Sequence, residues 1–134
     1  MIKGIAHLAF QVKDMEKSIQ FYEKAFGFKR KFSLHDDQGQ PWIEYLSVNP
    51  TQFIELFYAH KPLTQLPQTT SYQHLCIEVD HIEEVAAALV KKGIPLLHPV
   101  ILGKDHNYQC WVQDPDGNPI ELMQYGKDAL QLRP

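Results

Sequence analysis

The sequence predicts an α+β fold made of two tandem β-α-β-β-β modules. Three observations carry this expectation. Short segments recur in order at an offset of 66 to 67 residues, about half of the 134-residue chain. Each copy holds one amphipathic helical stretch after a strand-like stretch. Three further strand-like stretches with turn residues between them follow each helix. The recurring segments are His7-Leu8 with His74-Leu75, Asp14 with Asp80, Gly27 with Gly93, and Ile54-Glu55-Leu56 with Ile120-Glu121-Leu122.

In the first copy residues 5–12 alternate as a strand, and Asp14 caps a helix whose Met15, Ile19, Tyr22 and Phe26 share one face. Gly27 stops that helix, since glycine adopts the left-handed C-terminal conformation without strain. Strands follow at 28–34, 42–48 and 52–58, separated by His35-Asp36-Asp37-Gln38-Gly39 and Asn49-Pro50-Thr51. Residues 59–71, with Pro62 and Pro67, read as a linker.

The second copy opens with a strand around His74. Asp80 and Glu83 have capping-box spacing, and Ile82, Val85, Ala86, Leu89 and Val90 form the stripe to be buried before Gly93. Strands follow near 95–101, 108–113 and 119–125, with Asp114-Pro115-Asp116-Gly117-Asn118 as the hairpin turn. Residues 126–134 read as a frayed tail. The expected organisation is a single domain over 1–134, with modules 1–58 and 72–125.

The composition sets bounds on function. With 44% hydrophobic and 22% charged residues the chain is expected to be a soluble globular protein. A net charge of −3 without a basic stripe points away from nucleic acid and anionic membranes. No apolar stretch approaches ~18 residues, so neither a signal peptide nor a membrane span is expected. Cys76 and Cys110 lie in apolar runs outside any C-x-x-C pair, which suits reduced, buried thiols and a cytoplasmic location.

Strand alternation sorts the polar residues. Ala6, Leu8, Phe10 and Val12 share one face and His7 and Gln11 the other; Leu75, Ile77 and Val79 oppose His74, Cys76 and Glu78. Ile54 and Leu56 oppose Glu55, and Ile120 and Leu122 oppose Glu121. The aliphatic faces must receive the helices, which leaves His7, Glu55, His74 and Glu121 on the opposite face. Phe53, Phe57, Tyr45, Trp111 and Met123 share that face and make it a partly aromatic cup. Carboxylates there are costly unless compensated. One strand histidine or glutamate is ordinarily a solvated or hydrogen-bonded residue. A His–Glu pair repeated at separations of 48 and 47 residues is not explained that way. Two imidazoles and two carboxylates form a neutral site around a divalent transition metal, such as nickel, zinc, cobalt or manganese. Gln11 and Glu78 occupy equivalent positions beside it, as pocket residues or as hydrogen-bonding partners of the ligands. Cys76 reads as packing. His106 reads as a solvated residue, in a loop long enough to reach over the cup.

The chain resembles the vicinal oxygen chelate superfamily, which includes glyoxalase I, bleomycin resistance proteins and extradiol dioxygenases. The resemblance rests on His7, Phe21-Tyr22 through Gly27-Phe28, Ile54-Glu55-Leu56, Tyr72-Gln73-His74-Leu75, and Asp114-Pro115-Asp116-Gly117-Asn118-Pro119-Ile120-Glu121-Leu122. It implies an eight-stranded, cup-like mixed sheet with helices outside, a metal in the cup and a homodimer. The His, Glu, His, Glu order is most similar to glyoxalase I. That similarity implies a lyase or isomerase moving a proton next to a carbonyl through a metal-bound enediolate, with Glu121 as base and Glu55 as the alternative. The glutathione contacts do not carry over: Gln11 stands where the bacterial enzyme has arginine, and Ala59 where it has asparagine. A small-molecule substrate with a thiol other than glutathione is therefore expected. The alternatives are a metal-free sequestration protein of the bleomycin-resistance kind, an epimerase, and an extradiol-type dioxygenase.

Overall fold

A computed structural model describes residues 3–63 and 73–134. Residues 64–71 of the expected linker, and Tyr72, lie outside the described residues. The chain divides into two compact units, Met1–Pro67 and Gln68–Pro134. The first contains β1 (His7–Val12), α1 (Met15–Phe26), β2 (Lys29–His35), β3 (Pro41–Asn49) and β4 (Gln52–Tyr58). The second contains β5 (Leu75–Glu78), α2 (Ile82–Lys91), β6 (His98–Leu102), β7 (Tyr108–Gln113) and β8 (Pro119–Gln124), then a 3₁₀ turn at Leu130–Leu132. The eight strands and two helices of the expected α+β fold are present, the strands as two mixed sheets of four.

Both sheets have the same topology. The first runs β1-β4-β3-β2 and the second β5-β8-β7-β6. The leading strand of each lies parallel to the last, and the other neighbours are antiparallel. The sequence repeat is thus a repeat of pairing register: Leu8 lies beside Ile54 as Leu75 lies beside Ile120.

Helix α1 forms as its end signals dictate. Asp14 Oδ1 accepts the Lys17 N–H at 3.1 Å, and Gly27, at φ 74°, donates its N–H to Glu23 O at 2.9 Å. Met15, Ile19, Tyr22 and Ala25 are buried with Val12, Leu46, Ile54 and Leu56, and the Phe10 and Tyr22 rings lie 6.1 Å apart. Fully buried Leu46 and Leu56 each contribute roughly 1.5–3 kcal/mol through loss of apolar surface to water.

Helix α2 departs from its expected start. Its N-cap is His81, held at φ 53°, and no side-chain bond caps it locally. The left-handed turn at His81 takes the helix start past Asp80, so the Asp80–Glu83 capping box does not form. Gln124 of β8 supplies the cap, its Oε1 accepting the Ile82 N–H at 2.7 Å. Ile82, Ala86 and Leu89 are buried and Val85 is half-buried, but Val90 is 55% exposed. One residue past Leu89 is a rotation of about 100° on a helix, which turns Val90 out of the stripe.

The final residues are not a frayed tail. Asn107, 1% exposed, accepts the Gly126 N–H on Oδ1 and donates from Nδ2 to Asp105 and Gln131, both at 2.8 Å. The Leu130 N–H donates to Asp105 O at 3.0 Å, and Ala129 is buried. Gly126 packs so tightly on the His106 carbonyl that a Cβ there would collide with it. The 103–107 loop and the chain end satisfy each other's polar groups, which sequence periodicity does not report. Among the described residues no helix is long and apolar enough to cross a membrane.

Candidate functional site

Parallel pairing gives the two glutamates equivalent register positions. Ala9 lies beside Glu55, and Cys76 lies beside Glu121. In each unit the histidine two residues earlier leans across to the carboxylate. His7 Nδ1 is 3.2 Å from Glu55 Oε1, and His74 Nε2 is 3.1 Å from Glu121 Oε2. The carboxylates are the sheltered members, with side chains 8% and 15% exposed, against 49% and 34% for His7 and His74.

The aromatic residues expected around these pairs lie in register with them. Tyr45 faces Glu55 across the β3–β4 ladder, Phe53 lies beside His7, and Phe57 lies beside Gln11. Tyr45 stacks on Phe32 at 4.2 Å, and partial burial, followed by the neighbouring Glu55 carboxylate, raises the phenol above its ordinary range. In the second unit Trp111 faces Glu121 and Met123 lies beside Glu78. The Trp111 ring meets His74 edge-on at 4.8 Å. Gln11 and Glu78 are exposed.

Three features escaped the sequence reading. Gln109 accepts the Trp111 Nε1–H at 2.9 Å and orients the indole; alternation already put Gln109 on the Trp111 face. Cys76, which alternation already put on the polar face, is exposed there beside Glu121 instead of buried. Desolvation and then the Glu121 carboxylate push its thiol up to about 12, which keeps it protonated and a poor nucleophile. Cys110, by contrast, is buried as expected. On the helix-covered face, Glu44 is 5% exposed and accepts from Ser33 Oγ at 2.6 Å and Tyr58 OH at 3.1 Å. Arg30 bridges it to Glu16, with Nε 3.2 Å from Glu44 and Nη2 2.8 Å from Glu16. Glu44 alternates with Tyr45, so its face was legible; its partners on β2 and β4 were not. His106 is exposed as expected, and its loop does not reach over the Trp111 face. His106 lines a cleft with Leu102, Tyr108 and Lys127, in the row that alternates away from Trp111.

Among the described residues no group of three or more His, Cys, Asp or Glu gathers as a metal-holding cluster; each unit presents a two-donor pair. The donor chemistry fits a divalent transition metal, which accepts imidazole nitrogen and carboxylate oxygen together. The spacing fits as well. Two donors ~2.1 Å from one cation and at right angles stand about 3 Å apart, close to the separation within each pair.

Comparison with known proteins agrees with this fold. The chain is 30% identical to the uncharacterized protein YwkD of Bacillus subtilis, over 92% of this chain and 98% of that protein. It is 28% identical to the lactoylglutathione lyase of Escherichia coli O157:H7, over 93% of this chain and 94% of the enzyme. The crystal structure of a glyoxalase family protein from Enterococcus faecalis superposes with a TM-score of 0.76 at 28% identity, covering 90% of this chain and 97% of that one. Residues 4–122 match the profile of the Glyoxalase/Bleomycin resistance protein/Dioxygenase superfamily, and the chain belongs to that superfamily.

Proposed function

We propose that this chain is a metal-dependent lyase or isomerase of the glyoxalase I type, moving a proton between neighbouring carbons of a small carbonyl-derived substrate. The observation that carries the reading is the His–carboxylate pair formed twice at the same register, His7 with Glu55 and His74 with Glu121. In this reading the two units act as one domain. One divalent cation, nickel, zinc, cobalt or manganese, draws its ligands from all four side chains, within one chain or between two copies of a homodimer.

When bound, the cation supplies Lewis-acid polarisation of substrate oxygen. The remaining work belongs to the chain. Glu121 takes the proton from one carbon and returns it to the next, while Glu55 stays with the cation. Tyr45, Phe53, Phe57, Trp111 and Met123 bind the substrate's apolar part and exclude water, with Gln11 and Glu78 as polar contacts at the edge. Gln11 and Ala59 lack the charge and the amide that would grip glutathione, which favours a different thiol.

Metal analysis of protein purified without chelators, followed by turnover of methylglyoxal with glutathione and then with other low-molecular-weight thiols, tests this. One equivalent of nickel, cobalt, zinc or manganese per site with thiol-dependent turnover is the expected result. Absence of metal with tight binding of a small ligand would make the protein a sequestration protein instead. Iron with oxygen-dependent catechol cleavage would make it a dioxygenase.

A further inference from the structure

One side chain joins the His74–Glu121 pair to the loop between β6 and β7. Trp111 faces Glu121 across the β7–β8 ladder and meets the His74 ring at 4.8 Å, with 72° between the ring planes. The outer side-chain torsion of a tryptophan has broad, nearly two-fold wells, so the strand alone does not decide which edge of the indole meets the imidazole. The ring's single donor decides it, and that donor goes to Gln109 Oε1 at 2.9 Å. The other end of the Gln109 amide is confined as well. A Cβ at Gly103 would lie 2.5 Å from Gln109 Nε2 and 2.6 Å from Asp105 Oδ1, so amide, carboxylate and glycine backbone fill one small space. The loop itself is fixed. The Gly103 N–H donates to Asn107 O at 2.8 Å, and Asp105 Oδ2 accepts from Asn107 Nδ2 at 2.8 Å and from Gln131 Nε2 of the chain end at 2.9 Å.

We propose that Gln109 is a positioning residue: wedged against the 103–107 loop, it holds the Trp111 indole edge-on to His74 and so fixes the approach of the imidazole to Glu121. The ring orientation belongs to the metal-free chain; its consequence for cation binding rests on the proposed metal site. An imidazole already held in one orientation need not rearrange when a cation arrives, which raises affinity without adding a ligand. The loop, which the chain end helps to hold, thereby reaches the site through one amide.

The test follows the His74 ring protons by NMR in metal-free protein, where the Trp111 ring current shifts them, and then titrates the same samples with Co²⁺ alone. A His74→Gln variant identifies the resonances. Gln109→Leu keeps the bulk and loses the acceptor, Gln109→Glu keeps an acceptor, and Gly103→Ala removes nothing but sets a methyl group against the amide. Both atoms that this methyl crowds are side-chain ends, so the fold can yield there. Gln109→Leu and Gly103→Ala should move the His74 resonances and weaken Co²⁺ binding about 10-fold, with Gln109→Glu within about threefold of the parent. In the double variant Gly103→Ala/Gln109→Leu the effect of Gly103→Ala should vanish, because the two act through one group. Unmoved His74 resonances in Gln109→Leu overturn the inference, and so does an equal displacement in Gln109→Glu, which would mark general loosening. A Gly103→Ala effect that persists undiminished in the double variant overturns the wedge. A parent that fails to bind Co²⁺ overturns the metal-site reading, and the His74 resonances then decide the ring orientation by themselves.

Discussion

Gln124 and Ile82 are joined by a 2.7 Å hydrogen bond from the first backbone N–H of α2 to a side chain of β8. Gln124 lies three residues past Glu121 on the same strand, so the helix start and the strand carrying the candidate base are tied at one point. Gln124→Ala leaves that N–H without its side-chain acceptor, while His81 offers no local replacement. The expected loss is about 0.5–2 kcal/mol, read as a lower denaturant midpoint with an unchanged slope.

The base assignment predicts a separation of binding from turnover. Glu121→Gln keeps the shape and an oxygen donor but cannot take up a proton, so metal content should remain substantial. The catalytic rate should fall by about 10²- to 10⁴-fold. Elemental analysis beside steady-state kinetics measures both, and wild-type turnover in Glu121→Gln would mean that another group moves the proton.

Cys76 offers a chemical probe of the same carboxylate. With its thiol pushed up to about 12, the exposed side chain should react slowly with iodoacetamide at neutral pH in metal-free protein. The thiolate is scarcer than in an ordinary cysteine by on the order of 10³-fold. Glu121→Gln removes a negative neighbour and should speed the reaction; mass spectrometry of the alkylated protein against time gives the rate.

Acid should loosen the chain end before the rest of the second unit. Hydrogen bonds from Gln131 and Asn107 hold the Asp105 carboxyl below its ordinary value near 3.8. A depressed carboxylate contributes stability above the unfolded-state value and loses it as pH falls through the folded one. Amide exchange of residues 129–132 should therefore accelerate as pH falls below about 4 once the intrinsic rate is removed, and Asp105→Asn should abolish the pH step.

Short-range chemistry was readable from the chain alone. Strand alternation set the faces of His7, Glu55, His74 and Glu121, because a strand turns successive side chains to opposite sides whatever it pairs with. Asp14 and Gly27 delimited α1 because their partners lie within four residues. The repeat announced two copies of one topology, since equal spacing of equal elements yields equal registers.

Long-range pairing decided the rest. Gln124 caps α2 from 42 residues away, Glu44 collects donors from β2 and β4, and Asn107 anchors Gln131 from 24 residues away. Each of these contacts exists because folding brings distant segments within hydrogen-bond reach, and no local period encodes the distance. Trp111 belongs to both levels: alternation placed it across from Glu121, but the direction of its one donor was set by Gln109 after the strands had paired.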